Sequence, residues 1–489
     1  MMARKRLTVS YPTDLLIAGQ LRPGAGAARD VENPASGMVL CSVRDASEQD
    51  VAEAVKAAAA SWRAWGATPP AVRAARLRQL ADVIMAERTW LARILVAEVG
   101  KPIREAEGEV EATAGFIRHA ASLLETRYDE IRYTGRPDEE IWTRRQPYGV
   151  VAAIIPWNYP SALVTRKLGP ALAAGNAIVI KADEKTPLSA LAIAQIVART
   201  ELLPAGLVSV LTGAGETVGR ALVLSAGTDL VTMTGSSQAG KAILADAASQ
   251  VKPVHLELGG KAPFIVMADA DLDLAVADAV TSRHMNCGQV CIANERTFVH
   301  ESRYADFVAR YARCVEGLVV GDPAERATQV GPKVSGAELD KTLRILRESV
   351  SQGASVMTGG GRLAPPAGLE NGHWMTPTVI AAVSDDMSVM REEIFGPVTP
   401  VSPFADWAEV AARANATRYG LSAYLYTSDL RTAMNASRDL SFGEVYLNRV
   451  GPEEVNGFHT GYRESGLGGD DGAHGLDGYF RKQTVYLRF

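Results

Sequence analysis

The stretch NCGQVCIANER, residues 286–296, holds a cysteine whose setting differs from that of a packing residue. Cys291 lies among Asn, Gln and Gly in a polar, turn-like context, whereas structural cysteines sit in apolar runs and are inert. A thiol placed this way is there to react, and a reactive thiol is expected to be accessible, its pKa drawn down from about 8.5 so that the thiolate is available. Upstream, in LELGGKAPF, Glu257 ends an apolar strand-like run just before Gly259 and Gly260. A nucleophile and a base are therefore both present. Cys287, four residues before Cys291, invites a metal reading, but no second pair with ligand spacing occurs and no metal site is expected.

Those two segments, with IPWNYP (155–160) and EEIFGPV (392–398), are motifs of one family in that family's order. The chain resembles the NAD(P)-dependent aldehyde dehydrogenases over nearly its whole length, and its stretch NRVGPEEVNGFHTGYRESGLGGDDGAHGL is similar to the lactaldehyde and glycolaldehyde dehydrogenase branch. The resemblance implies covalent chemistry, because the C–H of a free carbonyl is a poor hydride donor and a tetrahedral adduct must form first. Cys291 would attack the aldehyde, and the side-chain amide of Asn158 with the backbone N–H of Cys291 would hold the developing oxyanion. Losing one such donor typically costs ~10²–10³ in kcat. Hydride would leave for the nicotinamide, and Glu257 would activate the water that hydrolyses the resulting thioester. Glu257 also argues against a CoA-acylating relative, which needs no activated water. Taken without the resemblance, Asn158 reads also as a helix cap and Glu257 as a strand-end ion pair. Cys287 reads as a packing residue or as a reversible disulfide partner of Cys291.

The apolar strand AIVIK ends in Lys181, with Glu184 three residues on. Side chains at the carboxyl end of a parallel strand project into the crevice where a dinucleotide lies. A carboxylate there accepts both ribose hydroxyls and repels a 2′-phosphate, so NAD is the expected cofactor. In TGSSQAG, the residues Gly235, Ser236 and Gly240 head a helix whose N–H groups attract pyrophosphate. This is not the G-x-G-x-x-G fingerprint and reads alone as a strand-to-helix turn; its match to the family's G-S-x-x-x-G turn gives it meaning. The resemblance also puts Ile155, Pro156 and Trp157 at the cofactor, with Glu393 and Phe395 on the nicotinamide ribose and ring.

For the substrate, Arg166 in TRKLGP, Glu453 in GPEE and His459 in GFHTGY match the hydroxyaldehyde branch. The guanidinium fork suits a carboxylate, sulfonate or hydroxyl. Glu453 repels an anionic tail and accepts from hydroxyls, so a short hydroxylated aldehyde is expected. Ile292 replaces the polar Asn common in lactaldehyde-type enzymes, which removes one hydrogen bond and makes the pocket more apolar. On residue type alone, Arg166 also reads as a helix-surface ion pair and His459 as a loop histidine. The competing readings are an enzyme for an anionic aldehyde such as succinate semialdehyde, and an inactive nucleotide-binding protein of the same fold.

These residues need elements to hold them. A length of 489 residues suggests two or three domains. From Ser47, a candidate N-cap, to about Tyr128 the spacing is helical; strands and helices then alternate through residue 259, predicting a doubly wound parallel sheet. A second αβ region follows Gly260, and QTVYLRF alternates like a strand. The expected fold is α/β and aldehyde-dehydrogenase-like. It comprises an NAD-binding domain (1–129 and 148–259), a catalytic domain (260–459) and a small β oligomerisation arm (130–147 and 475–489). By resemblance, the tail strand and the segment near Ile141 pair across the subunits of a homo-oligomer, a dimer or tetramer. A net charge of -5 argues against nucleic acid. The start MMARKRLTVSYPTDLL lacks a continuous apolar signal core, and no run reaches the ~18 apolar residues of a membrane span. Four scattered cysteines fit a reducing compartment, so the expectation is a cytoplasmic enzyme whose partner is a small-molecule aldehyde, not nucleic acid or membrane.

Overall fold

Ser47 accepts a hydrogen bond from the Asp50 N–H at 3.1 Å while Asp50 accepts from the Ser47 N–H at 2.8 Å. This reciprocal capping box starts the helix Glu48–Ala67, as the sequence predicts. Pro70–Ala86, Arg88–Val99 and Ile103–Thr126 complete the helical region. The computed structural model describes residues 10–126 and 129–489; the basic start (1–9) and the end of the predicted helical region (127–128) lie outside the described residues.

The helices cover an eight-stranded sheet whose parallel core runs Val254–Glu257, Leu230–Thr234, Val150–Ile154, Ala177–Ala182, Val208–Thr212. Sequence order reverses between Val150–Ile154 and Leu230–Thr234, and at such a reversal the loops after the two strands part and leave a crevice. The run IPWN leaves one of these strands and GSS leaves the other. Antiparallel edges close the sheet: the hairpin Leu15–Arg22, too short to alternate visibly in the sequence, and Gly466–Leu467, contributed from far down the chain. The separate hairpin of Ala28–Asn33 and Met38–Arg44 was likewise not anticipated.

A seven-stranded sheet follows, with Asn294–His300 and Ala262–Val266 at its centre and six of its strands parallel. The two sheets meet through residues 258–261, so Glu257 ends a strand of the first while Ala262 begins a strand of the second. Cys291 precedes Asn294–His300, and Glu393 and Phe395 precede Val398–Phe404. The carboxyl edge of one sheet thus faces the amino edge of the other.

The tail expectation needs correction. Phe480–Arg488 pairs antiparallel with Glu139–Pro147 of the same chain, from Phe480 opposite Pro147 to Arg488 opposite Glu139. The short helix Gly472–Asp477 packs on Ile103–Thr126 and Ala162–Ala174 and delivers the tail beside Pro147, so the ladder closes within one protomer. No helix among the described residues is long and apolar enough to cross a membrane.

Candidate active site

A cavity of about 400 Å³ opens at the sheet reversal, and Cys291, Glu257 and Asn158 all line it. Pro156, Trp157, Gly235, Ser236, Glu393, Phe395, Arg166, Glu453 and His459 share the same wall. The structure therefore brings together most of the residues singled out in the sequence. Ile155, Lys181 and Glu184 lie outside that lining. Ile155 is buried, and its N–H donates to the Lys181 carbonyl at 3.0 Å, which ties the ends of two strands. Lys181 and Glu184 form an ion pair at 2.8 Å, and against burial the ammonium holds Glu184 below its usual range.

The loop carrying Cys291 is conformationally unusual. Asn286, Cys287 and Gly288 adopt φ of 48°, 56° and 71°, three successive left-handed residues of which only the glycine is at ease. Gly288 is also required by space, since a Cβ there would meet the backbone of Gly396 at 2.5 Å. Four anchors hold the turn. Asn286 N–H donates to Glu105 at 2.8 Å, and its side-chain amide donates to the Asn158 carbonyl at 3.0 Å. Gln289 donates to the Asn286 carbonyl at 3.0 Å, and Arg283 donates to the carbonyls of Gly288 at 3.1 Å and Asn294 at 2.9 Å. The Asn158 amide in turn donates to the Gln289 carbonyl at 3.0 Å, which fixes its plane relative to the cysteine loop.

Cys291 departs from its predicted environment. Its neighbours Val290, Ile292 and Ala293 are buried with Leu421 in a small apolar cluster, so the turn is polar in sequence but apolar around the sulfur. Burial, reinforced by the charge of Glu453, pushes the thiol up rather than down, with only Arg166 opposing. Cys287 is fully packed and free, its thiol pushed up to about 12 by burial.

Glu257 is buried, and among the described residues neither of its carboxylate oxygens has a hydrogen-bond partner. Burial raises its pKa to about 8, with His459, Lys167 and Arg166 pulling the other way. An unpartnered buried carboxylate costs several kcal/mol of solvation, roughly, unless it is proton-shared or used. His459 approaches it at 3.4 Å through Nε2 and meets Glu444 at 3.0 Å through Nδ1.

Arg166 is not the open fork that its sequence context suggests. Glu453 binds it at 2.7 Å, Asp471 binds it on the other amine, and Asp470 lies 3.8 Å from Nε. The helix Ala162–Ala174 buries this face against Gly472–Asp477, and a buried guanidinium without counter-charges would be prohibitively costly. Against burial, Arg166 and His459 hold Glu453 ionised, down at about 2.

Several supporting residues were not singled out in the sequence. Glu109 accepts from the Ser161 and Ala162 N–H groups at 3.0 and 3.2 Å, capping Ala162–Ala174 from another helix. Lys101 pairs with Glu109, donates to the Asn158 carbonyl at 3.1 Å and sits 3.6 Å over the Tyr159 ring. Glu295 pairs with Lys261 at 2.7 Å and Arg283 at 2.9 Å, and accepts from Ile394 and Phe395 N–H at 2.8 and 3.1 Å. It thereby holds Phe395, itself at φ 50°, next to Trp157, the rings edge-on at 5.4 Å. Glu295 and Lys261 stand inside quoted motifs, and Glu105 and Glu109 lie one helical turn apart on an otherwise apolar stripe, a signal the sequence offers.

The donor set fits a dinucleotide. Ser236 caps the helix Ser237–Ala248, accepting from Ala239 N–H at 3.2 Å, so the first-turn N–H groups point out of the helix start at the reversal. Glu393, fixed by the Gly260 N–H at 2.8 Å, lines the same cavity as Phe395.

Comparison with known proteins accords with this geometry. The aldehyde dehydrogenase family model matches residues 22–485. A 3,6-anhydro-α-L-galactose dehydrogenase of Streptomyces coelicolor is 46% identical over 460 residues, covering 94% of this chain and 92% of the relative. Lactaldehyde dehydrogenase of Escherichia coli is 40% identical over 484 residues, 99% of this chain and 100% of the relative. The solved 3,6-anhydro-L-galactose dehydrogenase in complex with NAP (NADP) superposes with a TM-score of 0.94 at 40% identity, covering 97% of this chain and 99% of that one. The chain belongs to the aldehyde dehydrogenase family and is an NAD(P)-dependent oxidoreductase of aldehydes.

Proposed function

We propose that the protein oxidises a hydroxylated aldehyde to the carboxylic acid with NAD, through acyl transfer to Cys291 and hydrolysis assisted by Glu257. The observation that carries this reading is the shared cavity of Cys291, Glu257 and Asn158 with the Arg166, Glu453 and His459 cluster. Cys291 forms the bond to the carbonyl carbon as its S–H bond breaks and the proton passes to solvent water. The Asn158 amide, one hydrogen already committed to Gln289, aims the other at the oxyanion together with the Cys291 N–H. Bound NAD supplies the hydride acceptor. Glu257 then takes a proton from water, which attacks the thioester. Pro156, Trp157, Gly235, Ser236, Glu393 and Phe395 hold the cofactor, with Ile155 tying the strand ends beneath them. Lys181 and Glu184 are assigned to the adenosine ribose, where the carboxylate favours NAD over NADP. In domain terms, 1–129 and 148–259 bind the cofactor, 260–459 carries the chemistry, and 130–147 with 475–489 joins protomers into a homo-oligomer.

The state of Arg166 supports a hydroxylated substrate over an anionic one. With Glu453 and Asp471 already on the guanidinium, an incoming carboxylate gains no free cation and meets two more carboxylates. Hydroxyls find acceptors in the same place. Ile292 in the lining adds an apolar wall, which suits a compact ring better than an extended polar chain. The names of the relatives make 3,6-anhydro-galactose a candidate beside lactaldehyde and glycolaldehyde. NADH formation measured over these three, succinate semialdehyde and an unsubstituted aldehyde tests the reading. The hydroxylated compounds should lead in kcat/KM, and a preference for the semialdehyde would overturn it.

A further inference from the structure

The sequence assigns His459 to the substrate, yet both of its ring nitrogens face carboxylates of the protein. Nε2 lies 3.4 Å from Glu257, and Nδ1 lies 3.0 Å from Glu444 and 3.9 Å from Glu453. The backbone is fixed as well: His459 N–H donates to the Asp470 carbonyl at 3.0 Å and its own carbonyl accepts from Asp470 N–H at 2.8 Å. The protein itself thus clamps the ring at both ends against Glu257.

We propose that His459 is a positioning residue for Glu257, an imidazolium anchored by Glu444 and Glu453 that serves as the counter-charge of this otherwise unpartnered carboxylate. The proposal rests on the reading of Glu257 as the base that activates water. Every charged element packed around the ring enters the balance. Glu257 on its strand, Glu444 on Glu444–Leu447 and Glu453 in the loop favour the charged ring, whereas burial and Arg166 on Ala162–Ala174 oppose it. Asp470 adds negative charge beside Glu257, and Lys167, bound to Asp470 at 2.5 Å, offsets it. Asp471 is engaged by Arg166. The carboxylates prevail and hold His459 up at about 10, which favours the imidazolium, while burial holds Glu257 up at about 8. The sign follows directly. A cation at this distance favours ionised Glu257, and removing it raises the pH at which the base becomes competent.

The test is the pH profile of kcat at saturating aldehyde and NAD for wild type, His459→Asn, Glu444→Gln and Glu257→Gln. In His459→Asn the acid limb is expected to move up by about one pH unit or more, with most of the rate recovered above it. Glu444→Gln, which leaves the ring present but less firmly charged, should move it the same way by less. A limb left in place in His459→Asn overturns the proposal, since a substrate contact or a packing role would alter KM or scale kcat at every pH. If His459→Asn does not fold, an unmoved limb in Glu444→Gln overturns it equally. Glu257→Gln separates the two readings: loss of the limb upholds the base assignment, whereas a wild-type limb in that variant removes the base and this proposal with it.

Discussion

In the proposed mechanism Cys291 is the nucleophile; burial and Glu453 disfavour its thiolate, so its proton is expected to pass to solvent water as the carbon–sulfur bond forms. Cys291→Ala is accordingly expected to abolish NADH formation while dinucleotide binding, followed by fluorescence titration, stays at the wild-type level. Residual turnover in that variant would refute the nucleophile. In the proposed mechanism Glu257 carries the pH dependence. Its carboxyl is useful as a base only when ionised, and burial has moved that point up to about 8, so deacylation-limited kcat should rise with pH through that value and level off above it. In Glu257→Gln the first turnover of NADH should survive as a burst and the steady state should fall by about 10²–10⁴. A lost burst with an unchanged steady state would contradict the assignment. These residues were legible because each lies in a short contiguous motif. The ionisation of Cys291 was not, because a turn of polar residues packs against Val290, Ile292 and Leu421 only once the two sheets face each other.

At the scale of elements, the segment 157–162 depends on a buried ion pair contributed by another helix. Lys101 and Glu109 are without exposed side-chain surface, and between them they hold the Asn158 carbonyl and the amino end of Ala162–Ala174. Removing one partner leaves the other charge buried and alone. Lys101→Met should therefore cost about 3–5 kcal/mol in denaturant unfolding, and the displaced Asn158 should lower kcat by roughly 10–100-fold. Adding Glu109→Leu should restore much of the stability without restoring kcat, because the Ser161 and Ala162 N–H groups then lose their acceptor. Equal recovery of both quantities would show that the pair is packing alone. The alternation of strands and helices made the first sheet readable, as did the cap at Ser47. The pair itself could not be read, because Lys101 and Asn158 stand 57 positions apart and are brought together by the packing of Ile103–Thr126 on Ala162–Ala174.

For the whole molecule, the three-stranded sheet of Glu130–Tyr133, Glu139–Pro147 and Phe480–Arg488 is the element without a core of its own. Register puts Ile131, Tyr133, Trp142, Val485 and Leu487 on one face together with Glu140, since Ile131 opposes Trp142, Trp142 opposes Val485, and Tyr133 and Leu487 both oppose Glu140. Ile131 and Tyr133 are 58% and 82% exposed, an apolar face that water disfavours and a second protomer would cover. A sheet of this size needs such packing to be stable. The sequence reading expected the tail and the segment near Ile141 to pair across subunits; the ladder is instead internal, and the face and the free edge are the surfaces we propose for a partner. Replacing Ile131 and Tyr133 together by Asp should therefore yield a smaller species in sedimentation velocity at the same micromolar concentration. Its unfolding midpoint should fall and become less dependent on protein concentration, because association no longer adds to the stability of the folded chain. An unchanged sedimentation coefficient would place the assembly surface elsewhere. Because this sheet lies outside the cavity lining, the dispersed variant should retain NADH formation per folded subunit, so activity measured alongside mass separates loss of assembly from loss of fold.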